Sequence, residues 1–356
     1  MKHKLKHLLK RALRAVVVMA LHPTGLRGLF RKSRAGVPVL MFHNVGHQPE
    51  TDYLPGHMKV SEAKLRRLLK YLRRGGYRTL TLGQLGEALA KGDVPDDAIV
   101  LTFDDGYMDN HDVLLPILKE FDCTATVFVQ TGPMKGRLNW LHHYFWLLHR
   151  NGPHAVGEAM AERIDRPHLS EDLRSLPSGD GPAEYDLKRL LKYEVAAEDR
   201  DRILAEVFEA EGGDDAELAR AVYLGPEECR ALDAAGVELG AHTVNHLILS
   251  SLEPTRQRKE IEGSLRDLEA WLGHEVTSFA YPYGRTWDYD KDTLAILKEL
   301  GFRCAITGMP GLNDAETPAF ELLRTAVCDD VPLSDVMCEV DGVFAWAARA
   351  GVPLRI

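Results

Sequence analysis

The sequence predicts an α/β fold, a mostly parallel sheet covered by helices and interrupted once by a mostly helical insertion. Three observations point to it. From about residue 37 short apolar runs alternate with helical periodicity, the signature of repeated βα units. Residues able to do chemistry (His43, Asp104, Asp105, His242, His246 and Tyr281) stand at the C-terminal ends of those runs, the face on which a (β/α) barrel builds its sites. Between Met134 and about Tyr223 the rhythm breaks into a stretch rich in Glu, Asp, Arg, Pro and Gly. A chain of 356 residues suits one α/β barrel with such an insertion.

The elements follow in order. Val37 to Val45 reads as a strand. Ser61 to Arg74 reads as a helix with Ser61 at its N-cap and an apolar stripe through Lys64, Leu65, Leu68, Leu69 and Leu72, stopped by Gly75-Gly76. Ala98 to Phe103 is a buried strand, Asp109 to Phe121 a helix and Thr124 to Val129 a strand. After the insertion come strands at Val237 to Ala241, Val276 to Tyr281 and Phe302 to Thr307. Helices cover Pro254 to Leu272, Asp290 to Leu300 and Leu333 to Ala348. The domain reading is a barrel formed by 37–133 and 224–350, with 134–223 as an inserted lid.

Composition narrows the function. The apolar fraction is 45% and the charged fraction 27%, ordinary for a globular protein, and no apolar run is long enough to span a bilayer. Residues 1–34 hold ten Lys or Arg and no acid, which leaves 34 basic against 53 acidic residues in the body. So acidic a body repels a phosphate backbone, and no nucleic-acid partner is expected. Leu5, Leu8, Leu9, Ala12, Leu13, Val16 and Val17 fall on one face of a basic helix. Such a leader suits an anionic membrane surface; a signal peptide and a helix packed on the body are the alternatives. The expected location is at a membrane, on the cytoplasmic face rather than the periplasmic one. The five cysteines are widely spaced, form no C-x-x-C pair and read as reduced thiols, several of them on strands.

Two motifs carry chemistry. In Thr102-Phe103-Asp104-Asp105-Gly106 a strand ends in adjacent carboxylates that must point different ways, so one can bind a metal while the other acts on water; a capping Asp is the alternative. In His242-Thr243-Val244-Asn245-His246 two histidines four apart fall on one face of a helical turn. With Asp105 they make an Asp-His-His set suited to a catalytic divalent ion. Zinc is expected, and cobalt, nickel or iron suit the same ligands. Two carboxylates this close in sequence, beside two histidines, suit a metal better than a glycosidase pair.

These motifs, together with Phe279-Ala280-Tyr281-Pro282-Tyr283-Gly284, resemble the polysaccharide deacetylases, also called the NodB-homology family or carbohydrate esterase family four. The resemblance runs from Val37 to about Thr325 outside the insertion. It implies a distorted (β/α) barrel and amide hydrolysis, here expected on an N-acyl amino sugar of a polysaccharide or, since the basic leader suits a membrane, of a lipid-linked saccharide. It implies Asp104 as general base, Asp105, His242 and His246 as metal ligands, and the Tyr283 N–H as an oxyanion donor, with Tyr281 and Pro282 at the substrate. The usual C-terminal general-acid histidine is missing, since His274 is the last histidine. His43 is the expected acid; a strand-end histidine bonding a loop is the alternative. The usual arginine beside the base is also missing, and Arg324 is the expected substitute, a surface arginine being the alternative.

In the insertion, Trp140 is a candidate for stacking on sugar, while Phe145 and Trp146 are expected to pack against the barrel. Asp109 and Asn110 are expected chiefly as caps. Two other functions stay open: a deformylase or amidohydrolase of a small or lipid-linked amido sugar, and a non-catalytic carbohydrate-binding barrel.

Overall fold

The structure, a computed structural model, describes Phe30, Arg34 and residues 36–352. The expected leader helix lies almost wholly outside the described residues. Among those described, no helix is long and apolar enough to cross a membrane.

The strands are β1 (Val37–Phe42), β2 (Asn44–Val45), β3 (Lys59–Val60), β4 (Arg78–Leu80), β5 (Ala98–Phe103), β6 (Thr126–Val129), β7 (Glu238–Ala241), β8 (Ser278–Ala280), β9 (Cys304–Ile306), β10 (Leu312–Asn313) and β11 (Thr325–Ala326). The main sheet runs β10-β1-β5-β6-β7-β8-β9, with β4 added on β5 and β11 on β1. All neighbours are parallel except β1 and β10. Leu322 bridges to Ile306 of β9, and a few residues later β11 pairs with β1. One short segment thus joins the two edges of a curled sheet, which is the distorted barrel expected.

The helices on the barrel are α1 (Glu62–Arg74), α2 (Leu82–Lys91) and α3 (Leu115–Phe121), then, past the insertion, α9 (Pro226–Ala234), α10 (Pro254–Leu272), α11 (Lys291–Glu299), α12 (Leu333–Val340) and α13 (Val343–Arg349). The apolar stripe of α1 is buried as its periodicity requires, Lys64 included. Its amine reaches across to the carbonyls of Cys328 and Val331. Ser61 sits at the N-cap position but makes no capping bond; its hydroxyl donates to Asp329 instead. Helix α2 escapes the periodicity reading because Gly83 and Gly86 interrupt it. The capping box of Thr81 and Gln84 was its available signal. The C-terminal helix expected as one piece is two, since Gly342 takes φ 78° and turns the chain between α12 and α13.

The core has two layers. Leu40, Phe42, Ile99, Leu101 and Phe103 face the covering helices. Their alternates Val37, Val39, Ala98 and Val100 face inward, with Leu82 and Leu85 of α2, as the period of two demands. All five cysteines are free thiols, but only Cys304 lies on a strand.

Between β6 and α9 run five helices: α4 (Trp140–Ala161), α5 (Pro167–Arg174), α6 (Asp180–Tyr193), α7 (Ala197–Ala210) and α8 (Asp215–Val222). They bury their own apolar cluster, including Tyr144, Phe145, Leu187, Leu204 and Phe208, which joins the barrel through Tyr107 and Tyr223. Phe145 therefore packs largely within this helical unit. Trp146 stands edge-on to Phe208, again in the unit and not on the barrel.

Candidate active site

The strands deliver the site in register. Phe42 pairs with Phe103, Val129 with Ala241 and Ala280 with Ile306. The first residues beyond β1, β5, β6, β7 and β8 are His43, Asp104, Gln130, His242 and Tyr281. His43, Asp104, His242 and Tyr281 line one cleft of about 930 Å³, together with Asp105, His246, Tyr283 and Arg324.

Four of the five non-glycine residues with positive φ among the described residues belong to this site: Asp105 (75°), Thr243 (64°), His246 (54°) and Tyr283 (64°). Backbone strain of this kind persists only where surrounding contacts hold it, and it gathers at functional sites. The contacts are visible. The His242–His246 segment is not the helical turn expected but a loop, since Thr243 and His246 leave the right-handed region. The Thr243 hydroxyl accepts from the His246 N–H at 3.0 Å. The Gly132 N–H donates to the Val244 carbonyl, and Glu260 of α10 binds Asn245 through both carboxylate oxygens. At Tyr283 the Gly284 N–H donates back to the Pro282 carbonyl at 2.7 Å, the i to i+2 bond of a γ-turn. A Cβ on Gly284 would come within 2.3 Å of the Gly308 nitrogen, so no side chain fits there.

The loop nonetheless brings both histidines to Asp105. The ligand atoms of Asp105, His242 and His246 lie within 4.8 Å of one another. Nε2 of His242 and of His246 stand 3.7 and 3.6 Å from Asp105 Oδ1. Nδ1 of His242 lies 2.7 Å from the Ala280 carbonyl; only a donor fits there, so Nε2 carries the lone pair. A lone pair and a carboxylate then face each other in a buried site, which calls for a cation between them. Burial, then the Asp104 charge, pushes the Asp105 carboxyl up to about 7, and a divalent cation would reverse that. Burial lowers both histidines, which keeps them neutral, as ligands must be. The donor set therefore fits one divalent metal ion.

Asp104 is held differently. Burial alone would raise its carboxyl, but the Arg324 guanidinium, then His242 and His43, outweigh burial and hold it below the usual range. Arg324 is no surface arginine. It is 2% exposed, with Nη1 and Nη2 each 2.6 Å from an Asp104 oxygen and Nε donating to the Thr307 carbonyl. The segment that closes the barrel thus also fixes the charge of Asp104.

Arg324→Leu should destabilise the fold by about 3–5 kcal/mol, because it leaves a buried carboxylate without its partner. In the native chain the depressed Asp104 pKa contributes stability above the ordinary carboxylate pKa, and that contribution is lost as pH falls through the folded value. In the variant burial dominates, the pKa rises, and stability falls with increasing pH instead. Thermal unfolding against pH reads the inversion; an unchanged profile would separate Arg324 from Asp104.

His43 lines the cleft, and burial, more than the charges around it, lowers its pKa to about 4. Asp109 and Asn110 prove to be more than caps. Asp109 makes no capping bond; its carboxylate accepts from the Val45 N–H and from Asn44, and Asn110 reaches the His43 carbonyl. Together they hold the His43 segment in place.

Tyr281 is buried, stacked on Tyr289, with its hydroxyl donating to the Phe320 carbonyl. It lines the cleft without offering that hydroxyl. Pro282 is buried and acts through the turn it starts. Trp140 does not stack on anything in the cleft. It is 2% exposed, its indole N–H donates to the Tyr283 hydroxyl at 2.8 Å, and Arg200 covers its ring. It is a support for Tyr283, whose ring in turn packs on His246.

Several residues in or behind the cleft were not singled out by the sequence. Gln130 bonds Asp105 Oδ1 at 3.2 Å and accepts from Asn139, the N-cap residue of α4. This chain of bonds ties the helical insertion to Asp105. Its signal was position, a polar residue directly after a strand. The cleft rim carries Trp287, Tyr185 and Tyr193, exposed by 61%, 72% and 49%. Periodicity cannot flag them, because they lie outside the apolar core.

Comparison with known proteins settles the family. The family model for polysaccharide deacetylases matches residues 91–164 and 199–305, just over half of the chain. The chain belongs to the polysaccharide deacetylase family. That makes it a hydrolase of carbon–nitrogen amide bonds by class. The family match pauses over 165–198, inside the run of helices between β6 and β7. YxkH of Bacillus subtilis (strain 168), named for the same family, is 21% identical over 82% of this chain and 72% of its own length. The poly-β-1,6-N-acetyl-D-glucosamine N-deacetylase of Escherichia coli (strain K12) is 34% identical, over 25% of this chain and 13% of its own length. Among solved structures, the Streptococcus pyogenes deacetylase PplD aligns with TM-score 0.56 at 20% identity, over 86% of this chain and 98% of that one. IcaB from Ammonifex degensii aligns at 0.52 and 17%, with the same coverage. At these identities the structural likeness shows the fold.

Proposed function

We propose that this polysaccharide deacetylase removes an N-acetyl group from an amino sugar of a polysaccharide or a lipid-linked saccharide, using one divalent metal ion. The observation that carries the reading is the meeting of Asp105, His242 and His246 beside an arginine-clamped Asp104 in one cleft. Zinc is the proposed ion, held by those three residues; cobalt, nickel and iron suit the same ligands. When bound, the ion supplies Lewis acidity to the acyl oxygen.

The remaining steps fall to side chains and backbone. Asp104, kept ionised by Arg324, accepts a proton from the attacking water. The Tyr283 N–H makes no hydrogen bond to protein among the described residues and is proposed to donate to the oxyanion. His43 is proposed to protonate the departing amine. Its low pKa leaves the resting imidazole neutral, so it must first receive the proton that Asp104 took from the water, and transfer of that proton from so acidic a group to the amine is downhill. Trp287, Tyr185 and Tyr193 offer ring faces to the apolar faces of sugar rings at the cleft mouth.

The test is release of acetate and of formate from poly-β-1,6-N-acetyl-D-glucosamine and from lipid-linked amino sugars. Acetate is expected. Formate alone would favour a deformylase, and neither product would favour a binding barrel. Trp287→Ala should raise KM for a polymer roughly fivefold, about 1 kcal/mol of lost ring contact, with kcat little changed; an equal loss in kcat would place Trp287 elsewhere in the mechanism.

The basic leader is proposed to hold the enzyme at an anionic membrane surface, on the cytoplasmic side. Removing residues 1–34 should shift the protein from the membrane fraction to the soluble one. Unchanged partitioning would favour a leader that packs on the body.

A further inference from the structure

One stretch of the cleft lining is basic, although the body of the chain is strongly acidic. Helix α6 presents Lys188, Arg189 and Lys192, and the loop after β8 presents Arg285. Among the described residues, the carboxylates lining the cleft are Asp104 and Asp105. Asp104 is neutralised by Arg324, and Asp105 belongs to the metal set.

Pairing removes some of the positive charge but not all of it. Arg189 is engaged by Glu194. Lys192 has only Asp288 at 3.8 Å. Lys188 and Arg285 have no carboxylate within 4.0 Å among the described residues. Lys188 lies over the Phe145 ring at 4.7 Å, partly withdrawn from water. Lys188 and Lys192 are four apart on one helix, so two like charges face the same space, an unfavourable arrangement without a counter-charge. Burial, helped by the Lys192 charge, outweighs the opposing pull of Glu184 and lowers Lys188 to about 8.

The subsite adjoins the reaction centre. The Lys192 ammonium sits 3.8 Å over the Tyr283 ring, and that ring's other neighbour is His246 at 4.8 Å between centroids. One aromatic ring separates the cation from the metal ligands. On the same rim Trp287 and Tyr193 meet, indole nitrogen to hydroxyl, at 3.4 Å.

We infer that Lys188, Lys192 and Arg285 form a subsite for an anionic group, phosphate or carboxylate, carried on the N-acylated sugar or on the saccharide attached to it. A charged saccharide is then preferred over a neutral homopolymer. The inference rests on the deacetylase reading of the same cleft, so its test separates binding from turnover.

Binding is measured first, by calorimetry on the full chain carrying Asp104→Asn and loaded with zinc. The probes are N-acetylglucosamine, N-acetylglucosamine 1-phosphate and the uronic acid of N-acetylglucosamine. At least tenfold tighter binding of one or both anionic sugars is expected. Lys188→Gln with Arg285→Gln should remove most of that advantage while changing affinity for the neutral sugar far less, and 0.5 M salt should do the same. Preference for both anions assigns the subsite to charge, and preference for the phosphate alone assigns it to phosphate. Equal affinities, no binding by any probe, or an advantage that survives the double substitution would overturn it. Acetate release by the native enzyme is measured alongside. Release without anionic preference would remove the subsite and keep the deacetylase; anion-dependent binding without release would do the reverse.

Discussion

Asp104→Asn should lower kcat for acetate release by about a hundredfold to ten-thousandfold, the range general-base catalysis supplies, while metal content stays near one per chain. The amide keeps the shape of the carboxylate but cannot take a proton. Asp104 is also the residue whose ionisation the fold defends. It is 3% exposed, gripped at both oxygens by Arg324, and its carboxyl remains acidic despite a burial that would otherwise raise it. A fold that sets a paired arginine on its closing segment to keep one carboxylate charged is spending that charge on chemistry or on strength, and the asparagine variant tells which. Loss of stability with full turnover per folded molecule would make the pair structural.

His246→Ala should abolish stoichiometric zinc after dialysis and lower activity by about a thousandfold or more, several kcal/mol of lost transition-state stabilisation. His246 is the most informative ligand to remove. Its position depends on a strained backbone, φ 54°, held by Thr243 and by the contacts of Asn245 with Glu260. Alanine removes the ligand without asking the loop for a new shape. Elemental analysis checks occupancy and acetate release checks rate. Retention of one tightly bound zinc per chain would mean that the ligand set lies elsewhere.

Much of this was legible before any coordinates. The strand ends were, because apolar runs that stop at a polar residue place that residue on the C-terminal face. Asp105, His242 and His246 could be grouped on ligand chemistry alone, although their geometry could not. The helical turn assumed for His242 and His246 requires right-handed dihedrals, and no composition signal announces that Thr243 abandons them. Arg324 could be nominated but not placed, since its partner Asp104 is 220 residues away and the segment between them crosses the whole sheet. Trp140 shows the opposite failure. An aromatic beside a cap suggested a sugar platform, but burial against Tyr283 and Arg200 gives it a supporting place. The exposed aromatics of the cleft, Trp287, Tyr185 and Tyr193, sit outside the core, where hydrophobic patterning is silent. Gln130 went unnoticed although it follows β6 just as Asp104 follows β5, and the same positional rule identifies both.

The most direct measurement is anomalous X-ray scattering at the metal edge from crystals grown with zinc or cobalt. One peak is expected, about 2.0–2.2 Å from an Asp105 oxygen and from a nitrogen of each of His242 and His246, with Asp104 beside it and not bound to it. A peak on any other residues, or none at the Asp105 triad, would contradict the account.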